Sequence, residues 1–243
     1  YAESMPLDSS YNIDGTVRFS PLKWLTLSAS HNERIFNEYA DYASVDNTPR
    51  PTESNTRLEA GFYWKKKWFT AGVIQQSAFS QKPPTLLVQT VEPTPVAAST
   101  GITFGFHGPL YKAISLDLQG VSWNDKGTTH YRPPLSVRTD LSLTTNWLTR
   151  FPRGEFGINL HVIHEFRDPI TFDYRIARDT SVTVRQVTSL PAQIYTTLLE
   201  IRIQRATIFY HFHNMSGQKY ELVPGIVMPR QVQMYGVRWE FWN

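Results

Sequence analysis

The chain has 243 residues, a formal charge of +3, 14% aromatic and 19% charged side chains, and no cysteine. It contains no run of roughly 18 apolar residues, which excludes helical membrane spans, and a charge so close to balance gives no footing for nucleic-acid binding. A polar average combined with an excess of aromatics suits a β-barrel, and the absence of cysteine agrees with an oxidising periplasmic route without arguing for it.

From the N-terminus, period-2 segments recur with turn signals between them. Tyr11, Ile13, Val17 and Phe19 alternate with Asn12, Asp14, Thr16 and Arg18, and then Leu25, Leu27 and Ala29 alternate with Thr26, Ser28 and Ser30. Leu58, Ala60, Phe62 and Trp64 interleave Arg57, Glu59 and Tyr63, and are followed by Phe69, Ala71 and Val73. Ile102, Phe104 and Phe106, then Ile114, Leu116 and Leu118, continue the pattern until its phase slips near Gly120, where a bulge is expected. Leu135, Val137, Leu141, Leu143 and Trp147 alternate with Ser136, Arg138, Asp140, Ser142 and Asn146. Further segments cover 156–162, 195–203 and 208–212, and the last runs from 231 to the C-terminus, so the chain predicts about eleven strands.

The links between segments alternate in length. Short ones fall at 20–23, 65–67, 108–112, 149–154 and 204–205; long polar ones fall at 31–55, 77–100, 124–134, 165–191 and 214–230. Bacterial outer-membrane barrels have short periplasmic turns, long extracellular loops and aromatic girdles. Trp24, Trp64, Trp68, Trp147, Phe151, Trp239 and Trp242 all stand beside the short links or the C-terminus, which predicts a membrane girdle at that end. In the last strand Tyr235, Val237, Trp239 and Phe241 point one way and Met234, Gly236, Arg238 and Glu240 the other, as hydrocarbon outside and water inside require. A strand of a soluble sandwich alternates too, but is rarely so rich in interfacial aromatics. The fold expected is therefore all-β: an antiparallel meander forming part of a transmembrane β-barrel.

The segment Ile208-Phe209-Tyr210-His211-Phe212-His213, running into Asn214-Met215-Ser216-Gly217-Gln218-Lys219-Tyr220, then Pro224-Gly225, Met228-Pro229-Arg230 and the last strand, resembles the C-terminal end of TonB-dependent outer-membrane receptors. In that family an alternating strand enters an Asn-Leu-x-x-x-x-Tyr motif, then a Pro-Gly loop. Upstream, Asn47-Thr48-Pro49-Arg50-Pro51-Thr52-Glu53-Ser54 followed by Leu58-Glu59-Ala60-Gly61 resembles the family's Asn-x-x-Leu-x-Pro-Glu-x-Ser loop and its Glu-x-Gly strand. Met215 and Arg50 stand where the family has Leu. The pattern covers most of the chain and is specific over about 40 residues.

The resemblance implies the second half of a barrel of about 22 strands, with the plug domain, the TonB box and the first barrel strands outside 1–243. Because the sequence opens at Tyr1 with neither initiator Met nor signal peptide, it reads as a processed chain or a piece of something longer: a C-terminal fragment, or one chain of a split receptor. An odd strand count leaves parallel edges that cannot pair in an antiparallel barrel, and open edges in lipid strand backbone groups without partners. The implied function is active import of a scarce ligand such as a ferric siderophore or a cobalamin. The implied partners are outer-membrane lipid, the TonB energy-transducing system acting through the plug, the barrel-assembly machinery and the remaining barrel half. Tyr235, Val237, Trp239 and Phe241 then form the insertion signal, and the two residues past Phe241 leave open whether Trp242 takes its place. Loop aromatics, Phe36, Tyr39 and Tyr42 in one link and Phe172 and Tyr174 in another, are the candidate ligand contacts, since aromatic faces hold flat ligands; equally, such side chains anchor loops to one another.

Other chemistry is sparse. Asp14, Arg18, Arg57, Glu59, Arg138, Asp140, Glu200, Arg202, Arg238 and Glu240 put both signs on the water-facing wall, which argues against a strongly ion-selective pore. His211 and His213 share a face, as a metal site would need, and His161 and His164 lie on another strand, but a third ligand at suitable spacing is lacking, so neither metal nor cofactor is expected. Ser28, Ser30 and His31 are close in sequence, yet neighbours on a strand face opposite ways, and no enzyme is expected. The alternative function is a passive porin of about 12 strands, with residues 1–10 supplying the extra one.

Overall fold

The computed structural model describes residues 2–5, 10–35, 52–81, 91–92, 94–124, 132–178 and 181–241. Its strands, in chain order, are β1 (Ala2–Met5), β2 (Ser10–Leu22), β3 (Leu25–Ile35), β4 (Thr52–Trp64), β5 (Lys67–Gln76), β6 (Phe79–Gln81), β7 (Val91–Glu92), β8 (Thr94–Val96), β9 (Ser99–Tyr111) and β10 (Ile114–Trp123). They continue with β11 (Leu135–Thr145), β12 (Phe156–Arg167), β13 (Thr171–Arg178), β14 (Ser181–Thr188), β15 (Ala192–Ile203), β16 (Ala206–His213), β17 (Glu221–Val223), β18 (Ile226–Val227) and β19 (Val232–Trp239).

Twelve of these form one sheet, in the order β1-β2-β3-β4-β5-β9-β10-β11-β12-β15-β16-β19, so every neighbour in the sheet is the next long strand in the chain. All eleven expected strands are present and antiparallel, and the meander follows from the tight turns. Lys65 and Lys66 both have positive φ, 46° and 68°, which is the backbone of the two-residue turn that matches the twist of a hairpin. Lys112 and Gln204 hold φ of 46° and 54° in the equivalent turns.

A short twelfth strand joins these eleven at the edge of the sheet. β1 pairs with the start of β2, from Ala2 opposite Ile13 to Met5 opposite Ser10, so the outermost strands run antiparallel to each other. β1 and β19 nevertheless stand at opposite ends of the sheet and are not paired. β19, the strand with the strictest alternation, keeps its faces through the ladder. Starting at β19, Tyr235, Val237 and Trp239 face Tyr210, Ile208 and Ala206, whose partners on β15 are Leu199, Ile201 and Ile203. Crossing to β12 and β11, Leu199 meets Leu160 and Leu160 meets Leu143. At the other end of the sheet Phe106 meets Phe69, Phe69 meets Phe62, and Phe19 meets Leu27. One face is thus apolar across the whole meander.

The expected bulge at Gly120 is absent. Gly120 lies in register between Phe104 and Val137, and the irregularity sits instead at Ile114 and Ser115, next to the turn. What Gly120 supplies is room: a Cβ there would come within 2.2 Å of the Phe104 ring. Gly236 makes the same allowance for the ring of Phe209, directly opposite it, and Gly61 for the indole of Trp68. Aromatic rings laid over cross-strand glycines shield the bare backbone and help fix register.

Candidate functional site

The opposite face of the sheet carries the chemistry. Arg57 and Glu59 stand on β4, Asp117 and Gln119 on β10, Arg138 and Asp140 on β11, His161 and Glu165 on β12, and Glu200 and Arg202 on β15, all in the register opposite to the apolar residues. A cavity of about 620 Å³ is lined by residues of six successive strands, from Arg57 on β4 to Arg167 on β12. Six neighbouring strands can line one cavity only if the sheet curves around it, so the polar face is the concave one.

Across that face the charges answer one another. Arg57 donates to Glu59 at 2.6 Å, His107 lies 3.1 Å from Asp117, and His161 lies 2.9 Å from Asp140. Glu165 lies between Arg138 at 3.8 Å and Arg167 at 3.5 Å. Asn159 donates to Glu200 at 3.4 Å and accepts from the Thr144 hydroxyl at 3.0 Å. Pairs so exposed contribute little stability each; their effect is a hydrated wall without a dominant sign.

His211 and His213 keep one face of β16, as expected. His213 is held between Thr196 Oγ1 at 2.9 Å and the Tyr220 hydroxyl at 3.1 Å. His161 joins Asp140 on the concave face, whereas His164, three residues on, lies on the apolar face and stacks on Tyr195 with ring centroids 4.6 Å apart. Among the described residues no three His, Cys, Asp or Glu side chains come together as a metal site would require.

Of the aromatic residues expected at the short-link end, Trp24 packs edge-on against Phe62 at 5.6 Å and Trp147 stacks on Phe156 at 5.0 Å. Trp64 and Trp239 end β4 and β19 on the apolar face. Trp68 is at the same end but on the other face: it pairs with Tyr63 and His107 and lines the cavity with Arg57 and Glu59. Parity explains this, since Phe69, Ala71 and Val73 take the apolar side. Tyr235, Val237 and Phe241 are 78%, 63% and 74% exposed beside Trp239 at 56%, and Trp242 lies outside the described residues.

The long links at the other end build structure of their own. β13 and β14 form a hairpin, and β7, from a different link, adds to β13 with Arg175 opposite Glu92 and Ile176 opposite Val91. Phe172 is buried at 4% exposure with the Tyr174 ring edge-on at 6.4 Å, so it anchors the hairpin and offers no surface to a ligand. Burial also pushes the half-buried Tyr174 hydroxyl above its ordinary pKa. Phe36, Tyr39 and Tyr42 lie outside the described residues.

The best-built part of this end is the corner after β16. Asn214 is fully buried with φ 52°; its amide donates to the Gln218 carbonyl at 2.8 Å and its Oδ1 accepts from Ser216 at 3.1 Å. Tyr220 packs on Ala192 and Ile194, with Met228 against them. Burial first, and then the Glu165 carboxylate, raise the Tyr220 pKa, while Arg167 acts in the opposite sense. Those two charges belong to the concave face, so the link folds inward over it. Asn214 and Tyr220 are the two named ends of the motif quoted from the sequence, and their role as a corner was open only through that motif.

No protein-family model and no curated protein matches the sequence. Among solved structures, the FrpB iron transporter from Neisseria meningitidis (F3-3 variant) superposes on 93% of this chain with a TM-score of 0.58 and 11% identity. The chain has the fold of part of that barrel. It spans 38% of the transporter's chain, and at this identity the likeness is one of fold.

Proposed function

We propose that the chain is the C-terminal barrel portion of a TonB-dependent receptor of the bacterial outer membrane, importing a scarce and bulky ligand such as a ferric siderophore or a cobalamin. The observation that carries this reading is a curved meander, apolar outside and polar within, that superposes on a transporter barrel over 93% of its length. Strands of 10 to 13 residues from β2 to β15 in the main sheet are long enough for hydrocarbon, which needs about 9 to 11 when tilted. The neighbour transports iron, which favours the ferric ligand. The remaining strands and a plug then belong to the parent protein, as do the energy-transducing contacts, and the assembly machinery reads the face of Tyr235, Val237, Trp239 and Phe241. With Phe172 buried, Phe36, Tyr39 and Tyr42 become the main aromatic contacts of this half.

One observation favours a passive porin: β1 brings the sheet to twelve strands with antiparallel edges. The test is energised uptake and ligand binding by the full-length parent after replacing 36–51 or 168–191 with a short turn. Lost binding with an assembled barrel supports the receptor; unchanged binding in both variants removes these links from the site. Constitutive ion conductance without energised uptake favours the porin.

A further inference from the structure

The short-link end carries a second feature besides its tryptophans. Its five links are Lys23-Trp24, Lys65-Lys66, Lys112-Ala113, the ten residues 146–155, and Gln204-Arg205. Each one bears a cation: Lys23, Lys65 and Lys66, Lys112, Arg150 and Arg153, and Arg205. All seven are exposed, and none forms an ion pair among the described residues. The only carboxylate in these links is Glu155, with Glu240 just past the end of β19. The other end is different. The link 36–51 has three acids and one base, and 168–191 has three of each.

Because the sheet is a simple meander, these five links lie at one end of it, immediately beyond the apolar face. The Lys65 Nζ lies 4.9 Å from the Trp64 ring centroid and the Lys112 Nζ 5.0 Å from that of Tyr111. Lysines beside interfacial aromatics bury their stems and carry the charge to the headgroup level. Unpaired cations standing around the rim of an apolar wall, at the depth of its indoles, meet lipid phosphates when that wall is in a bilayer.

We infer that the five short links form a basic collar that retains anionic phospholipid headgroups, of the phosphatidylglycerol class, in the leaflet at that end of the barrel. The inference rests on the membrane-barrel reading above. It assigns the collar an interaction that the apolar face alone does not provide, since hydrocarbon contact does not distinguish headgroups.

The experiment uses the full-length parent in phosphatidylcholine vesicles with trace spin-labelled phosphatidylglycerol or phosphatidylcholine, and measures relative lipid association by electron paramagnetic resonance. The expected preference for phosphatidylglycerol is roughly fivefold, the factor that one basic side chain contributes at an anionic surface, and it falls with added salt. The variant K23Q/K65Q/K66Q/K112Q/R150Q/R153Q/R205Q, which removes all seven cations, loses it; glutamine suits the tight turns at 65, 66 and 112, as Gln204 adopts the same backbone with φ 54°. The variant K65R/K66R/K112R retains it. A preference that survives the glutamine changes overturns the collar, as does its absence from the wild type, which would leave these cations to an acidic protein partner. Protease resistance of the vesicle-bound barrel separates the two levels: if the wild type is degraded, the membrane reading itself fails, whereas a protected barrel with no preference removes the collar alone.

Discussion

Large apolar side chains live under opposite conditions in the wall of the sheet and in the corner after β16. On the wall, Val17, Phe19, Val73, Ile102 and Val237 are 70%, 63%, 55%, 61% and 63% exposed; in the corner, Ile194 and Tyr220 are 2% and 3% exposed. The corner is held by its own contacts, including a buried asparagine. Among the described residues the wall has no apolar partner layer, so its large side chains are left to whatever medium covers it. Under the membrane reading proposed above, such a sheet reverses the usual rule of burial, because backbone pairing closes the polar groups internally while the large side chains are left for hydrocarbon. Changes to the wall should therefore depend on the lipid, and changes to the corner should not.

The sharpest way to break that contrast is a charge on the wall. Val237→Arg should cost about 2 to 4 kcal/mol in a bilayer if it lies near midplane, and Trp239→Arg less, being closer to the interface. Heat-modified gel mobility and protease protection of the full-length receptor proposed above should show assembly lost for Val237→Arg and retained for Arg238→Ala on the other face. Comparable losses from both would mean that the two faces are not lipid and water. In the corner, Ile194→Ala should destabilise by about 2 to 4 kcal/mol, by the same amount in micelles and in bilayers, as measured by denaturant unfolding. A strong dependence on lipid would place Ile194 on the membrane side.

Removing the Asn214 side chain tests the corner's polar half. Asn214→Ala removes the donor to the Gln218 carbonyl and the acceptor of the Ser216 hydroxyl; both partner residues are exposed, so water can replace the amide and the expected cost is about 1 kcal/mol. Faster proteolysis between 214 and 231, with the wall still protected, is the expected readout. On the wall, Gly120→Ala should cost about 1 to 3 kcal/mol by forcing the Phe104 ring aside. Pairing it with Phe104→Leu should recover much of that loss; no recovery in the double variant would show that the ring is not the obstacle.

The smallest effect concerns pH. Tyr220 has a raised pKa in the folded corner, so its neutral hydroxyl is favoured there. Its contribution is complete below the unfolded value of 10.0 and is lost as pH climbs through the higher folded value. Tyr220→Phe should therefore abolish an alkaline loosening of the corner, followed by proteolysis at 214–231, while the wall shows no such transition.

How much of this was open to sequence reading follows from the range of each interaction. Alternation and turn residues are local, so Leu58 to Trp64 and Tyr235 to Phe241 declared their faces, and the link lengths declared the meander. Even the placing of Trp68 on the concave side was implicit in the parity of Phe69 and Val73. What no local pattern contains is the partner of a residue far along the chain. β7 joins β13 across about 80 residues, and Ala192, Ile194 and Tyr220 meet only because β15 and the link after β16 fold together. The short β1 is likewise a strand only because β2 offers it an edge. Period-2 hydropathy therefore determined the wall, while the corner, the loop hairpins and the true task of Gly120 were decided by tertiary contact, because they depend on which surfaces meet and not on the order of residues within any one of them.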